Sequence, residues 1–332
     1  MSPVRQKNLQ VNGISLHITE QGTGPLVILC HGFPGLGWSW RRQLPALAAA
    51  GFRAVAPDMR GYGRSSRPAE VAAYTSDTLI ADMTGLLDAL GEEQAVFVGH
   101  DFGAPLVWNL AARQPQRVRA VVGVAYPYDG YIGGRAADLA PSERFAMVAR
   151  QHFFHMHYFQ QPGPADGELG QNAGTFLRRI YYALSAQGDL FRWRDFPAEG
   201  TGYLDVLAEP EEPLPWSWLT AADLEFMERE YTRPGAKQAF TGGLNYYRVA
   251  DLNWQQDRRW RGAPVRTPAL FLAGEEDPAI KLTGDSALQA MKGLVPDLRG
   301  STLIPGAGHF VQMEAAGAFN SRLLEFLHSL NR

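Results

Sequence analysis

The sequence predicts an α/β fold in which a mostly parallel central sheet is flanked by helices and interrupted by an inserted helical cap. Short, continuously apolar runs alternate with helical patterns over residues 8–125, the alternation stops across residues 130–260, and it resumes near residue 269. Continuously apolar strands separated by helices are typical of parallel sheets covered on both faces. We therefore expect a core domain of residues 1–129 and 261–332 and a cap domain of residues 130–260.

The predicted elements of the core follow one another as strand and helix. Apolar runs bounded by turn residues predict strands at residues 16–19, 26–30, 52–56, 95–98, 118–124, 269–273 and 301–304. Helical patterns predict helices at residues 40–50, 77–90, 105–112 and 315–330. Within the insertion, Pro and Gly breaks separate predicted helices at residues 142–159, 168–186, 220–231 and 235–248.

Composition narrows the class of partner. The chain has 332 residues, with 31 basic and 34 acidic side chains and a net charge of -3, so electrostatics favour neither nucleic acid nor a membrane surface as partner. A single cysteine, Cys30, excludes an intrachain disulfide and a multi-cysteine metal site. The N-terminus lacks the apolar segment of a signal peptide, and no apolar run reaches transmembrane length. A cytoplasmic protein is expected, and its oligomeric state is not predicted.

The strongest local motif covers residues 96–103, Val-Phe-Val-Gly-His-Asp-Phe-Gly. It predicts a strand, a sharp turn centred on Asp101 and a helix, with glycines two residues before and two after the central side chain. This is the pattern of a nucleophile elbow, in which small flanking residues permit a strained turn that exposes the nucleophile.

A carboxylate at the centre of the elbow indicates attack on a saturated carbon. A serine hydroxyl needs a base before it attacks, whereas an aspartate is already ionised at neutral pH. Attack by Asp101 on a carbon that carries a leaving group gives an alkyl ester. The alternative is that Asp101 caps the N-terminus of the following helix.

The loop His31-Gly32-Phe33-Pro34 follows a predicted strand and is a candidate oxyanion hole. The backbone N–H groups of Phe33 and Phe102 are the expected donors. A dinucleotide-binding loop is the competing interpretation, but the glycine spacing is G-x-x-G-x-G and Pro34 stands where the phosphate turn belongs.

Two further loops supply a candidate base and acid. His309, in Gly-Ala-Gly-His-Phe between the last strand and the last helix, is placed for general-base catalysis, although a structural loop histidine is an alternative. Asp277 follows a strand and would orient His309; Glu275, Glu276 and Asp129 are other contenders. The chain order Asp101, Asp277, His309 is that of α/β-hydrolases.

These motifs, together with residues 58–65, Asp-Met-Arg-Gly-Tyr-Gly-Arg-Ser, resemble the α/β-hydrolase superfamily over essentially the whole chain. The His-Gly-Phe-Pro loop and the Gly-His-Asp-Phe-Gly elbow are similar to those of the epoxide hydrolase branch. The resemblance implies an enzyme that converts an epoxide and water to a vicinal diol, without metal or organic cofactor.

The resemblance also implies two cap residues that bind the epoxide oxygen. The segment Asn245-Tyr246-Tyr247-Arg248 is similar to the family motif in which the tyrosine before Arg is the acid, which gives Tyr247. At the second position His155 aligns where the family usually has tyrosine, and Tyr158 is the alternative. We also predict Trp38, Tyr158 and Phe310 as substrate-binding residues.

Three questions stay open at this point. Many aromatic residues in the cap would favour an aromatic or polycyclic epoxide if several of them line the pocket. A haloalkane or haloacid dehalogenase also uses an elbow aspartate, but Phe102 stands where such enzymes commonly place tryptophan or arginine. A non-catalytic binding protein with the hydrolase fold is the third reading, and the competent residues at every triad position argue against it.

Overall fold

The computed structural model describes residues 2–128, 138–214 and 216–330. Its strands form one sheet in the spatial order β1-β2-β4-β3-β5-β6-β7-β8. Pairing is antiparallel for β1 with β2 and for β2 with β4, and parallel for the remaining neighbours, so the mostly parallel sheet predicted from the sequence is confirmed. The strands are β1 (Arg5–Val11), β2 (Ile14–Gln21), β3 (Leu26–Cys30), β4 (Arg53–Pro57), β5 (Ala95–His100), β6 (Val118–Val124), β7 (Ala269–Gly274) and β8 (Leu298–Ile304).

Helices cover both faces of this sheet. The α-helices of the described residues are α1 (Gln43–Ala49), α2 (Ser76–Leu90), α3 (Gly103–Arg113), α4 (Pro141–Ala149), α5 (His155–Tyr158), α6 (Pro164–Gln171), α7 (Ala173–Leu184), α8 (Tyr203–Val206), α9 (Ala221–Thr232), α10 (Thr241–Arg248), α11 (Ala250–Gln256), α12 (Pro278–Leu294), α13 (Val311–Glu314) and α14 (Ala316–Ser329). Short 3-10 helices lie at Gly37–Trp40, Val71–Tyr74, Pro115–Arg117, Leu190–Asp195, Ala236–Gln238 and Asp257–Trp260.

The alternation of side chains along the strands divides the core into two layers. All five residues of β3 are buried; Leu26, Ile28 and Cys30 join one apolar cluster, and Val27 and Leu29 join the other. Helices α2 and α3 pack on the first face, and α1 and α14 pack on the second. This two-sided burial explains why the central strands are apolar without interruption.

Helices α4 to α11 lie between β6 and β7, where the sequence predicts the cap; the domain boundaries themselves stay a prediction. The expected single helix at 142–159 is wrong, because the chain is extended at Phe154 (φ −145°, ψ 112°) and α4 and α5 are separate. At this break Phe153 turns into the core and is 1% exposed. The expected helix at 168–186 is likewise divided, at Asn172.

No helix in the described ranges combines the length and apolarity that crossing a bilayer requires.

Candidate active site

Asp101 occupies a sharp turn between β5 and α3. Its φ is +53°, a left-handed conformation that is uncommon for residues other than glycine and is often found at functional sites. The turn depends on Gly99, because a Cβ there would lie 2.0 Å from the carbonyl oxygen of Gly103. The helix that follows has no side-chain cap, so the alternative that Asp101 serves as an N-cap is wrong.

The carboxylate of Asp101 is instead held by backbone N–H groups. Phe33 N donates to Oδ1 of Asp101 at 2.7 Å, and the amide of Phe102 also hydrogen-bonds the carboxylate. The loop approaches so closely that a Cβ on Gly32 would lie 2.1 Å from the same oxygen. The two predicted oxyanion donors therefore meet at the carboxylate of Asp101, and the Phe33 amide binds Oδ1, the oxygen that would become the carbonyl oxygen of an ester.

His309 connects Asp101 to Asp277. Its Nε2 lies 3.6 Å from Oδ2 of Asp101, and its Nδ1 lies 3.1 Å from each carboxylate oxygen of Asp277. Asp277 is fully buried and also accepts a hydrogen bond from Ala279 N at 2.8 Å. The three residues form a continuous chain from nucleophile to acid, on the loops that follow β5, β7 and β8.

Glu275 and Glu276 do not reach the imidazole. Glu275 is exposed, and Glu276 pairs with Lys281 at 2.6 Å near the surface. Asp129 lies outside the described residues. Of the candidate triad acids that the structure describes, Asp277 is the one in contact with His309.

Charge interactions set the protonation states of Asp101 and His309. Burial disfavours charge on both groups, yet the pKa of Asp101 is lowered because His309, His100 and the Phe102 amide stabilise its carboxylate. Burial likewise opposes the protonated form of His309, but Asp277 and Asp101 raise its pKa to about 10. In the resting protein the side chain of His309 is therefore a protonated imidazolium between the carboxylates of Asp101 and Asp277.

Glu314, which the sequence did not single out, holds the loop that carries His309. Its Oε2 accepts from Gly308 N at 2.9 Å and from Ala186 N at 3.0 Å, and its Oε1 accepts from Phe310 N at 3.0 Å. One carboxylate thus binds the amides on both sides of His309 and an amide of the segment that follows α7. A glutamate in a short helix carries no sequence signal for such a role.

Tyr247 and His155 come from the cap and face the same cavity as Asp101. The hydroxyl of Tyr247 has no hydrogen-bond partner among the described residues, whereas that of its neighbour Tyr246 donates to Arg60 O at 3.0 Å. The ring centroids of Tyr247 and Phe102 lie 4.7 Å apart, and those of Tyr247 and His155 lie 6.2 Å apart. Burial and the nearby Asp101 charge raise the pKa of Tyr247, so its hydroxyl keeps its proton.

His155 is a neutral imidazole. Burial lowers its pKa to about 4, against an opposing effect of Asp101. Its Nδ1 is buried and has no hydrogen-bond partner in the described part of the chain, and the ring is stacked on Tyr203 with centroids 5.7 Å apart. We assign the single ring proton to Nε2, and this nitrogen is then a hydrogen-bond donor.

Arg248 ties the helix of Tyr247 to the helix of His155. Its guanidinium donates to the carbonyl of Phe159 at 2.9 Å and pairs with Asp166 at 2.5 Å, both contacts being buried. In return, the side chain of Gln160 donates to the carbonyl of Tyr247 at 3.2 Å. These bonds fix the two cap side chains relative to each other.

A cavity of about 450 Å³ opens onto these groups, and its lining includes Phe33, Asp101, Phe102, His155, Tyr247 and His309. The described residues contain no cluster of three or more potential metal ligands.

Contrary to expectation, three residues predicted to bind substrate are not in the cavity lining. Tyr158 donates its hydroxyl proton to Glu168 at 2.8 Å. Trp38 is 36% exposed, and its indole N–H bonds Asp223 at 2.9 Å. Phe310 is 1% exposed and stacks on Tyr181, with centroids 4.3 Å apart. Each side chain has a packing or hydrogen-bond partner that turns it away.

The sequence-based expectation of an aromatic substrate rests on a set of aromatic residues in and near the cap. The following lie outside the lining: Phe153, Phe154, Tyr158, Phe159, Phe176, Tyr181, Tyr182, Phe191, Trp193, Trp216 and Trp218. They pack against one another and the core; Phe153, Phe159, Phe176 and Tyr181, for example, are at most 1% exposed. Four other aromatic residues of the cap range, Phe145, Tyr203, Tyr246 and Tyr247, do line the cavity, so an aromatic or polycyclic substrate stays a prediction.

Comparison with known proteins gives one consistent result. The family model described as alpha/beta hydrolase fold matches residues 25–316. The chain is 40% identical to epoxide hydrolase A of Mycobacterium tuberculosis, over 99% of both chains. It is 39% identical to an epoxide hydrolase of Caballeronia sordidicola, over 99% of this chain and 95% of that one. A solved structure of an epoxide hydrolase from an endophytic Streptomyces superposes with a TM-score of 0.89 at 38% identity, covering 99% of this chain and 96% of that one.

Proposed function

The chain belongs to the epoxide hydrolases of the α/β-hydrolase fold family, and we propose that it opens an epoxide to a vicinal diol through a covalent ester on Asp101. The observation that carries this mechanism is that the two carboxylate oxygens of Asp101 have different partners. Oδ1 accepts the Phe33 amide at 2.7 Å, and Oδ2 lies 3.6 Å from His309. Oδ1 is therefore placed to carry the negative charge of the oxyanion, and Oδ2 is available to attack the substrate.

In the first step Oδ2 of Asp101 attacks an epoxide carbon and the carbon–oxygen bond of the ring breaks. Tyr247 gives its proton to the departing oxygen, and the Nε2–H of His155 supplies a second hydrogen bond to it. The low pKa of Asp101 and the high pKa of Tyr247 suit these roles, since the first must be ionised and the second protonated. The products of this step are a neutral ester and a phenolate.

Ester formation also converts His309 into a base. The charge of Asp101 is one of the causes that raise the pKa of His309, and esterification removes it. The imidazolium proton then neutralises the phenolate of Tyr247 through solvent, which leaves a neutral imidazole oriented by Asp277. General-base catalysis needs this neutral form.

In the second step His309 takes a proton from water, and the resulting hydroxide adds to the ester carbonyl. The charge that develops on Oδ1 is stabilised by the amides of Phe33 and Phe102. The tetrahedral intermediate collapses, the bond from the carbonyl carbon to Oδ2 breaks, and the diol oxygen leaves with the proton from His309. The proton that the added hydroxide left on Asp101 then passes to His309, which restores the carboxylate and the imidazolium of the resting state. Every step uses only side chains, backbone amides and water.

A single turnover in heavy-oxygen water tests the covalent mechanism. With enzyme in excess over styrene oxide, we expect the label in the peptide that contains Asp101 and an unlabelled diol. Label in the diol with none in Asp101 would mean direct attack by water, and the ester mechanism would be wrong. Assays for fluoride from fluoroacetate and halide from haloalkanes, which we expect to be negative, test the dehalogenase alternative.

A further inference from the structure

Tyr126 follows β6, the strand that lies between the strand of the nucleophile and the strand of the triad acid. In the sheet β6 pairs with β5 and with β7, and Asp101 and Asp277 follow those two strands. The carboxyl ends of parallel strands meet at one edge of a sheet, so Tyr126 leaves the sheet between the two acids. Its side chain lines the cavity together with Asp101 and His309. None of the steps proposed above uses its hydroxyl.

The backbone at the end of β6 fixes the position of Tyr126. Ala125 has a φ of +71°, a left-handed conformation that costs free energy for a residue with a side chain and is often found at functional sites. Its N–H donates to Leu272 O at 2.9 Å. On the other side, the carbonyl of Tyr126 accepts the indole N–H of Trp108 at 3.0 Å. The strained turn is therefore held by hydrogen bonds on both sides, as expected of a residue with a fixed task.

The hydroxyl of Tyr126 is available to a ligand in the cavity, because it has no hydrogen-bond partner in the described part of the chain. By contrast, the hydroxyl of Tyr128, two residues further along the same loop, donates to Ala263 O at 2.6 Å. Burial and the charges of Asp101 and Asp277 raise the pKa of Tyr126, so its hydroxyl keeps its proton. Because both acids oppose its ionisation, the hydroxyl lies on the side of the cavity that faces the triad.

We propose that the phenolic oxygen of Tyr126 binds the water molecule that hydrolyses the ester, as a second acceptor beside His309. The proposal rests on the proposed function, because this water is needed only if an ester forms. The water has two protons: Nε2 of His309 takes one, and the other stays on the oxygen that adds to the ester carbonyl. An acceptor for the second proton orients the water for attack, and Tyr126 itself begins and ends the step as a neutral phenol.

Three other polar side chains around the triad are less suited to this role. The carboxylate of Asp277 is turned towards Nδ1 of His309, with 3.1 Å to each of its oxygens. Tyr247 comes from the cap and is assigned to the leaving oxygen of the first step. Tyr203 also lines the cavity, but burial and the charge of Glu168 raise its pKa, without a contribution from the triad acids. Tyr126 is therefore the phenol that we assign to the water.

The test separates formation of the ester from its hydrolysis in one single-turnover experiment. Enzyme in excess is mixed rapidly with styrene oxide and quenched, and intact-protein mass spectrometry follows the ester on Asp101 with time. Tyr126→Phe removes one oxygen atom. We expect hydrolysis of the ester to slow by about tenfold, the usual effect of one lost hydrogen bond, and its formation to stay within about twofold of the wild-type rate. A purely structural role of the side chain would not separate the two steps in this way.

Tyr128→Phe is the matched control, since it makes the same change on the same loop at a hydroxyl that donates to Ala263 O; both rate constants should equal those of the wild type. A second measurement leaves Tyr126 unchanged: a crystal structure of the ester trapped in His309→Gln should show a water that hydrogen-bonds the Tyr126 oxygen and contacts the ester carbonyl carbon. Equal slowing of both steps, slowing of formation alone, unchanged hydrolysis, or a trapped ester without this water overturns the proposal. Absence of any ester in the wild type would instead remove the proposed function, and this proposal with it.

Discussion

Nε2 of His309 lies 3.6 Å from Oδ2 of Asp101 in a buried pair, and this contact gives the resting protein a pH-dependent stability. Together with Asp277, Asp101 raises the pKa of His309 from 6.5 to about 10. Between these two pH values the folded chain keeps a proton that the unfolded chain releases. The stabilisation is therefore complete below pH 6.5 and is lost as the pH rises through about 10.

We expect the urea midpoint of the wild type to fall between pH 6.5 and pH 10 and that of His309→Gln to fall less. At acid pH the stability depends on pH with the opposite sign, because the pKa of Asp101 is lowered from 3.8 in the folded chain. The contribution of Asp101 to the free energy of unfolding is present above pH 3.8 and is lost as the pH falls through the pKa of the folded state. Parallel curves for the two proteins between pH 6.5 and pH 10 would contradict the imidazolium assignment.

Replacement of His309 by glutamine separates the two chemical steps. The carboxylate of Asp101 still attacks, but no base activates water, so the ester should accumulate while steady-state turnover falls by about 10²- to 10⁴-fold. Intact-protein mass spectrometry should show the addition of one epoxide molecule. Asp101→Asn, which has no nucleophilic carboxylate, is the control and should show no adduct.

Tyr247 and Tyr158 provide a contrast between a cavity residue and one outside it. Tyr247→Phe removes the acid that protonates the leaving oxygen, and we expect ester formation to slow by about 10²-fold. Tyr158→Phe removes only the hydrogen bond to Glu168 and should form the ester at the wild-type rate. Rapid-mixing measurements in the His309→Gln background report this step alone. The reverse ranking would exchange the roles of the two tyrosines.

Glu314 is expected to act on the second step through the position of His309. Glu314→Ala leaves the amides of Gly308, Phe310 and Ala186 without their acceptor, so the imidazole should lose its alignment with the ester. Hydrolysis of the ester should slow by about tenfold more than its formation, and Glu314→Gln, which keeps one acceptor oxygen, should restore part of the rate. If the variant slows both steps equally, Glu314 has only a structural role.

The sequence predicted those elements whose side chains are buried on both faces. Strands β3, β5 and β7 are entirely buried, and each contains a predicted apolar run. Strand β1 was missed because it is a polar edge strand with mostly exposed residues. Helix α12 was also missed. Two of the predicted cap helices, at residues 142–159 and 168–186, are divided by breaks near Phe154 and Asn172, whereas the helix expected at 220–231 is confirmed by α9.

The site also contains residues that the sequence could predict and residues that it could not. Asp101, Asp277 and His309 follow strands of one sheet, so their meeting at one edge is foreseeable from topology. The direction of a side chain within the cap is not. Tyr158 is in the same four-residue helix as His155, yet it faces Glu168 because of a contact ten residues further along the chain. Glu314 acts through backbone amides, which leave no trace in residue types.

The bond from the Phe33 amide to Oδ1 of Asp101 also determines which atoms belong permanently to the protein. In the mechanism proposed above, Oδ2 departs in each diol and an oxygen from solvent replaces it, while Oδ1 stays in place. If that bond prevents the carboxylate from rotating so that Oδ1 and Oδ2 exchange places between catalytic cycles, prolonged reaction in heavy-oxygen water labels one oxygen of Asp101 and never both. One oxygen of the nucleophile is then a fixed part of the catalyst, and the other is a reagent renewed from water at every cycle.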